Sequence, residues 1–592
     1  MRSTWTTGQS TGRRIGRDFQ SFWLLGLAGL LLFGAIGARL TWMQLIQGQR
    51  NRELADENRI HLIARNPERG RILDRKGRVL ASTRLSYSLF VWPRAVRDTR
   101  WPASRDRLAQ LLGVSPASLD RQLTQSNLEA GYRVRIAANL QPKQLIAFEE
   151  ARRSLYGVEL DYDTLRNYPY GPLAAHLLGY TGEISEERLA KLRAQGYRPG
   201  DIVGRSGLEA LYERHLRGEW GGQQVEVDAL GHAIRVLGQK NARPGRDLKL
   251  TIDLDLQRVA EQAIGNTTGG IIALDPRDGA ILAMVSRPAF DPNWFSAGVS
   301  ASVWKQLQQL QDPFLNRSLQ GFLPASTFKI ITTAAGIESG KFSPDSVLTT
   351  ASALSFGGTT FNEHGGHSYG TIGFPTALAV SSNTFFYQVG NRVGPEQLSR
   401  TAHRFGFGEP TGFELADEES PGLVGDPAWK KKVYGEPWWL GDTISMAIGQ
   451  GPLLVTPIQL ARMYAAIANG GYLVTPHVVA DRDLKPKPMG LKPETLATIK
   501  KGLRQVVTDG TAGILNDPNL PPVAGKTGTA EDPPRPDHTW FGGFAPLNQP
   551  RIVIVAFAQN SGGFGGTVSA PMVHKMLLYY FGKNQPKLEP SV

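Results

Sequence analysis

One stretch near the N-terminus is apolar without interruption, whereas the rest of the chain mixes apolar and polar positions. Residues Phe22–Ala38 carry no charged side chain, and after Arg39 the apolar character continues through LTWMQLI. A helix needs about 20 apolar residues to cross a bilayer core, and about 17 at the low end. The pattern therefore predicts a transmembrane anchor over residues 21–46. The alternative is a cleaved signal peptide with Ala35 and Gly37 at its cleavage site, although signal cores are usually shorter.

The charges before this helix predict its orientation. Four arginines precede it, against a single acidic residue, Asp18. Basic flanks stay on the cytoplasmic side of a membrane. We therefore expect residues 1–20 to form a cytoplasmic tail, and everything after the anchor to lie outside the cytoplasm of a single-pass inner-membrane protein.

The remaining pattern predicts mixed α and β structure. GGIIALDPRDGAILAMVS predicts two strands joined by a turn at Pro276–Gly279, and TWFGGFAP with RIVIVAFAQ predicts a second pair. Helical spacing predicts helices at about 326–338, 375–393 and 456–469, and a final helix in APMVHKMLLYYF. An antiparallel sheet flanked by helices on both sides, of the α+β class, fits residues 246–585.

A change in composition marks a boundary near ARPGRDLKLTIDLDLQ, where proline and glycine precede an alternating run. We expect a separate, elongated domain of mixed structure over residues 47–245. The sheet domain then occupies residues 246–585, and residues 586–592 form a disordered tail. A length of 592 residues fits two to four domains.

Charge is concentrated in the first part of the chain. The net charge is +13, and residues 1–250 hold 39 lysines and arginines against 25 aspartates and glutamates. Zinc-finger spacing, RNA-binding aromatic motifs and heptads are missing, so we expect no nucleic-acid partner. The excess fits attraction to an anionic membrane or polymer, or an arginine-rich surface that is merely solvated. The absence of cysteine excludes disulfides, thiol catalysis and cysteine-ligated metals.

LPASTFKIITTAAGIESG brings a serine and a lysine together at the start of a predicted helix. Ser326 and Lys329 share a helix face, so a neutral lysine could take the hydroxyl proton and activate the serine as a nucleophile. Such a pair also arises by chance, as Ser302 and Lys305 illustrate. Downstream, Ser381 precedes a predicted helix in AVSSNTFFYQ, where its hydroxyl could relay a proton.

Asn383 lies in the same loop and could hold a substrate amide. The third motif, Lys526-Thr527-Gly528-Thr529, comes before the last predicted hairpin. Its glycine would let a substrate backbone approach a strand edge, and the lysine and threonines could bind a carboxylate. In this order the three motifs resemble the set of penicillin-binding proteins and class A β-lactamases.

Two rival sites receive less support. GHSYG places Ser368 in a Gly-x-Ser-x-Gly pattern, but an esterase elbow needs a buried strand before it, and the preceding GGTTFNEHG is polar. Glu363, His364 and His367 could ligate a metal. We expect a polar loop beside the active site and no metal.

The resemblance extends over nearly the whole chain. RGRILDRKGRVLA and GRSGLE resemble the pedestal motifs of class B penicillin-binding proteins, which would make residues 47–245 the pedestal, or dimerisation-type, domain. GDTISMAIGQGPLLVTPIQLA and DHTWFGGFAP resemble the elongation-specific branch, the penicillin-binding protein 2 group. The resemblance implies a D,D-transpeptidase that cross-links pentapeptide stems of peptidoglycan and maintains cell shape. It also implies acylation by β-lactams, no cofactor, and a membrane glycan polymerase of the elongation machinery as partner.

The resemblance also implies residue roles. Ser326 would attack the penultimate D-Ala, Lys329 would accept its proton, and Ser381 would protonate the leaving group. The backbone N–H groups of Ser326 and Thr529 would form the oxyanion hole. Two alternatives stay open: a D,D-carboxypeptidase or β-lactamase-like hydrolase on the same fold, and a non-enzymatic β-lactam sensor or scaffold.

Overall fold

The structure is a computed structural model that describes residues 12–47, 60–65, 67–125, 133–227, 233–296 and 298–582. The first eleven residues of the predicted cytoplasmic tail and the whole predicted tail 586–592 lie outside these ranges. The chain divides into two compact units, one formed by residues 1–67 with 219–243 and the other by 68–218 with 244–592. The domain boundaries expected from the sequence stay predictions.

The first unit contains the apolar N-terminal helix, Gly12–Thr41, which continues as a π-helical turn at Trp42–Ile46. The stretch Phe22–Ile46 is long and apolar enough to cross a membrane, with a mean hydropathy of 1.8. Its large side chains are exposed, including Phe22 at 74% and Leu45 at 79%. The predicted apolar helix is therefore present, with a surface suited to lipid.

Three antiparallel strands complete this unit. Strand Ile60–Arg65 pairs with Gly221–Val227, which pairs with Ala233–Lys240. The sheet thus joins segments that lie far apart in the sequence.

The pedestal part of the second unit is built on a long antiparallel pair of strands, Val79–Val91 and Val158–Asn167. The short strands Ile72–Leu73 and Val134–Ala137 also pair with Val79–Val91, and Leu248–Lys249 pairs with Ile72–Leu73. The strands Thr181–Glu183 and Ile202–Gly204 form a separate pair. The α-helices of this part are Trp101–Leu112, Pro116–Gln125, Pro142–Ala151, Ala175–Leu178, Glu186–Leu192, Gly207–Leu211 and Glu213–Leu216.

A buried ion-pair network joins the two pedestal motifs. The Glu209 carboxylate accepts hydrogen bonds from Arg69 Nε and Arg166 Nε, each at 2.6 Å, and its side chain is 0% exposed. Burial opposes ionisation, but the charges of Arg166 and Arg69 outweigh it and lower the pKa of Glu209. These motif residues therefore hold the pedestal together.

Other basic residues of the first motif also form internal ion pairs. Arg71 pairs with Asp247, and Lys76 and Arg78 both reach Asp255 on the helix Leu254–Ile264. Part of the basic excess is thus paired with acidic side chains of the same unit, although Arg71 and Lys76 stay more than half exposed.

The second part of this unit contains a five-stranded antiparallel sheet, which confirms the predicted fold class. Its spatial order is Ile281–Arg287, Gly269–Leu274, Ile552–Ala558, Arg535–Ala545 and Ala524–Asp532. The strand Ala524–Asp532, which carries the Lys526–Thr529 motif, therefore lies at the edge of the sheet.

Both faces of the sheet are covered, because successive strand residues point to opposite sides. Ile271 and Ile554 pack with the helices Leu254–Ile264 and Ser569–Tyr580. Val553 and Val555 face the other core, together with helix Pro457–Ala468, whose residues are all buried. The other α-helices are Asn293–Ser296, Ala301–Gln309, Lys329–Glu338, Phe374–Ala379, Asn383–Val393, Pro395–Arg404, Pro427–Tyr434, Leu440–Ala447 and Pro493–Thr508. The remaining short strands are Val347–Thr349, Ala353–Phe356, Thr359–Asn362, Thr371–Gly373, Leu423–Val424, Leu453–Leu454, Tyr472–Leu473 and Lys487–Pro488.

Candidate active site

Ser326 lies in a 3₁₀ turn, Ala325–Phe328, that leads directly into helix Lys329–Glu338. Ala325 has a positive φ of 50°, an uncommon conformation for a residue with a Cβ atom. Its N–H donates to the carbonyl of Gly449 at 2.9 Å, which holds the turn in place. The Ser326 side chain is partly exposed, as a nucleophile must be.

Lys329 is fully buried on the first turn of this helix. Its Nζ donates to Ser381 O and Asn383 Oδ1, each at 2.6 Å, and lies 3.3 Å from Ser381 Oγ. Burial lowers the pKa of Lys329 to about 7, and the negative charge of Glu363 partly opposes this shift. A substantial neutral fraction is therefore present near neutral pH, as a general base requires.

The Ser381 hydroxyl, in the second motif, contacts one lysine of the first motif and one lysine of the third. Lys526 Nζ donates to Ser381 Oγ at 2.9 Å and to the carbonyl of Thr527 at 3.1 Å. Burial and the neighbouring charge of Lys329 lower the pKa of Lys526 well below its ordinary value. The two amines and the hydroxyl form a continuous path along which a proton can move.

The loop that carries Ser381 has an unusual backbone. Ser381 has a φ of 58°, in the left-handed region, between helices Phe374–Ala379 and Asn383–Val393. The helical stretch predicted over 375–393 is thus two helices, and the break lies where Ser381 was placed just before a predicted helix. A non-glycine residue keeps this conformation only where the surrounding structure holds it there, and such residues cluster at functional sites.

The third motif lies beside the Ser326 turn. A Cβ atom on Gly528 would come within 3.1 Å of the carbonyl oxygen of Pro324, so glycine allows the edge strand to pack closely on the Ser326 turn. Thr527 Oγ1 is hydrogen-bonded to Thr511 Oγ1 at 2.6 Å, whereas Thr529 is partly exposed. The structure thus brings all eight predicted site residues into one neighbourhood, with Lys526 buried rather than projecting into solvent.

The rival serines are in different settings. Ser368 Oγ donates to the carbonyl of Thr350 at 2.7 Å, and the residues before it form a 3₁₀ turn, His364–Gly366, rather than a buried strand. Ser302 Oγ lies 2.9 Å from Ser300 Oγ, at the exposed start of the helix Ala301–Gln309.

The three residues considered for a metal do not converge. The buried carboxylate of Glu363 accepts a hydrogen bond from the Ser382 hydroxyl. The His364 ring packs against Phe564, and the His367 ring packs against Tyr369. Among the described residues, no group of three or more histidine, aspartate or glutamate side chains is arranged to hold a metal. Metal independence stays a prediction.

Two family models match the chain. The penicillin binding protein transpeptidase domain matches residues 269–578, and the penicillin-binding protein dimerisation domain matches residues 64–250. The chain belongs to the penicillin-binding protein family. The resemblance inferred from the motifs is confirmed.

Individual relatives agree with this assignment. The peptidoglycan D,D-transpeptidase MrdA of Acinetobacter baumannii is 32% identical over 94% of this chain and 87% of its own length. The solved complex between penicillin-binding protein PBP2 and MreC from Helicobacter pylori has a TM-score of 0.79 at 27% identity, covering 88% of this chain and 99% of that one. A peptidoglycan synthase complex that coordinates polymerization and crosslinking has a TM-score of 0.71 at 32% identity, covering 98% and 100%.

This penicillin-binding protein also has two supporting residues to which motif reasoning gave no role. A Cβ atom on Gly449 would lie 2.0 Å from the carbonyl oxygen of Ala325, so glycine is needed where this loop meets the nucleophile turn. Glu363 accepts hydrogen bonds from the Ser381–Asn383 loop. Gly449 belongs to the glycine-rich GQG sequence, which was a signal for it. The contact of Glu363 with this loop is visible only in the folded structure.

Proposed function

We propose that this protein is a serine D,D-transpeptidase that cross-links the stem peptides of peptidoglycan, with Ser326 as its nucleophile. The observation that carries the proposal is the convergence of Lys329 and Lys526 on Ser381, beside the Ser326 turn. The family membership and the activity named for the MrdA relatives support the reaction class.

In the first step, Ser326 Oγ attacks the carbonyl carbon of the penultimate D-Ala, and its proton passes to neutral Lys329. The C–N bond to the terminal D-Ala then breaks, and that amine receives a proton from Ser381, which is replenished from the buried lysines. The backbone N–H groups of Ser326 and Thr529 stabilise the oxyanion. Such donors typically contribute about 3–4 kcal/mol to lowering the barrier in serine enzymes.

In the second step, an amine of a neighbouring stem attacks the acyl-enzyme and releases Ser326. Attack by water instead would make the enzyme a D,D-carboxypeptidase. Incubation of a stem-peptide analogue with and without an acceptor amine separates these outcomes: a cross-linked amide supports transpeptidation, whereas the hydrolysed product alone supports the carboxypeptidase.

The N-terminal helix supports a membrane-anchored form. With the arginines of residues 1–20 in the cytoplasm, the catalytic domain faces the periplasm, where peptidoglycan is assembled. Relatives have been solved with MreC and in a peptidoglycan synthase complex. By analogy, the anchor and pedestal of this chain contact a membrane glycan polymerase of the elongation machinery and couple cross-linking to strand synthesis.

Labelling with a fluorescent penicillin, followed by peptide mapping of the adduct, tests the nucleophile. We expect the label on Ser326 and its loss in Ser326→Ala. The variants Ser302→Ala and Ser368→Ala serve as matched controls and should label normally. Undiminished labelling of Ser326→Ala would contradict the assignment.

A further inference from the structure

The acidic residue beside the second motif has no role in the reaction described above. We propose that Glu363 is a positioning residue, whose buried carboxylate clamps the Ser381–Asn383 turn so that Ser381 and Asn383 remain within reach of Lys329. The inference deepens the proposed function and rests on it.

The first support is the number of donors that meet this one carboxylate. Glu363 Oε2 accepts from Ser382 Oγ at 2.6 Å, from Thr384 Oγ1 at 2.7 Å and from Thr384 N at 3.0 Å. Oε1 accepts from Asn383 N at 2.6 Å and from His364 N at 3.0 Å. Glu363 is only 3% exposed, so these bonds are shielded from water and hold the turn firmly.

The second support is where these bonds fall. Asn383 N and Thr384 N belong to the first turn of helix Asn383–Val393, where N–H groups have no partner within the helix itself. The N-terminus of a helix also favours a nearby negative charge. The preceding residue, Ser381, has a φ of 58°, and the clamp holds the chain in that conformation. The same three-residue turn supplies both oxygen atoms that bind Lys329 Nζ at 2.6 Å, the carbonyl of Ser381 and the amide of Asn383.

The third support is electrostatic. Hydrogen bonds from the turn outweigh burial and lower the pKa of Glu363, so the residue is an anion at working pH. That anion counteracts the loss of charge on Lys329 caused by burial. The other titratable groups that interact with these two residues are Lys526, Tyr369 and Tyr387, and burial shifts the pKa of each toward the neutral form.

The removal of the charge should therefore have two effects that can be measured separately. In Glu363→Gln an amide NH₂ replaces one of the two carboxylate oxygens. Two or more N–H or O–H donors now point at each oxygen, and an NH₂ group cannot accept their hydrogen bonds, so the turn should relax. Misplacement of catalytic groups by about 1 Å lowers rates by about 100-fold. Loss of the anion should also lower the pKa of Lys329, because a nearby opposite charge favours the charged amine.

The experiment measures the second-order rate of acylation by a fluorescent penicillin, from pH 5.5 to 9, in the full-length protein. For Glu363→Gln we expect acylation about 100-fold slower and the rising limb of the pH profile moved to lower pH. Glu363→Asp keeps the charge, so the rising limb of its pH profile should stay in place. Its shorter side chain should hold the turn less well, so its acylation should be slower than that of the unmodified protein. Glu396→Gln, an exposed glutamate on the helix Pro395–Arg404, is the matched control and should behave normally.

A Glu363→Gln variant that acylates at the normal rate would overturn the inference, as would a slow variant whose pH limb has not moved, since a merely structural role predicts that result. If Glu363→Gln does not fold, Glu363→Asp decides, and an undiminished rate in it counts against the clamp. Absence of labelling in the unmodified protein would contradict the proposed function itself, and the inference with it.

Discussion

Lys329 and Lys526 share one hydrogen-bond partner, the hydroxyl of Ser381, at 3.3 and 2.9 Å. The two amines come from different motifs and both are fully buried. Two ammonium ions this close, with so little water, disfavour one another, so the pair holds fewer than two protons near neutral pH. The proposed mechanism uses this arrangement as a base for Ser326 and as an acid for the leaving group.

The first prediction concerns pH. Burial lowers the pKa of Lys329 to about 7, so this amine is protonated below that pH and neutral above it. Because only the neutral form can accept the Ser326 proton, β-lactam acylation should rise with pH and level off, with a midpoint near 7. The measurement is the acylation rate against pH, with a ligand that does not titrate in this range. A flat profile between pH 5 and 9 would exclude Lys329 as the titrating base.

The second prediction concerns the same lysine as a catalyst. Lys329→Ala removes the general base, an interaction worth about 10²–10⁴-fold in rate. Acylation should slow by that order while initial binding changes little, because Lys329 is fully buried. Stopped-flow measurement separates the two constants, and a variant that loses only affinity would argue against the role.

The third prediction concerns Lys526. Its amine is expected to help hold the substrate carboxylate, so Lys526→Ala should weaken acylation more for ligands with a carboxylate than for their amides. The comparison of paired ligands on one variant is the measurement. Equal losses with both ligands would instead assign Lys526 to proton transfer through Ser381, which its 2.9 Å contact allows.

The fourth prediction concerns the loop behind the nucleophile. Gly449→Ala should disable acylation, because the new Cβ would lie 2.0 Å from the carbonyl oxygen of Ala325 and displace the Ser326 turn. Gly435→Ala is the matched control, since Gly435 also has a positive φ, of 73°, but nothing within 4 Å of the added atom. We expect Gly435→Ala to lose only a little stability and keep its penicillin labelling. Equal effects of the two substitutions would show that backbone strain, not contact with Ala325, is responsible.

The fifth prediction concerns the pedestal. Glu209→Ala leaves Arg166 buried without its counter-charge and leaves Arg69 with Glu213 alone, and breaking a buried ion pair typically costs about 3–5 kcal/mol. Glu187→Ala breaks a pair with Lys191 whose side chains are 82% and 72% exposed, and should change stability by less than about 1 kcal/mol. Chemical denaturation of both variants gives the comparison. A Glu209→Ala variant as stable as the unmodified protein would contradict the buried network.

The sequence alone was enough to predict the apolar helix, the antiparallel sheet and the family, because each leaves a local or ordered signal. The helix is a continuous apolar run, and the strands are short apolar runs joined by turns such as Pro276–Gly279. Ser326, Lys329 and Lys526 belong to short motifs that occur in a fixed order. The break at Ser381 was also visible as the point where one helical pattern stops and the next begins.

Only the tertiary structure decided how these residues interact. Glu363 accepts hydrogen bonds from the Ser382 hydroxyl and from the backbone N–H groups of Asn383 and Thr384, and these bonds depend on orientation and distance, for which no sequence pattern exists. The motif predicted Lys526 as part of a carboxylate site, and folding also buries it against Ser381. Its pKa and that of Lys329 follow from desolvation and from each neighbouring charge, and these arise only when segments distant in the chain pack together.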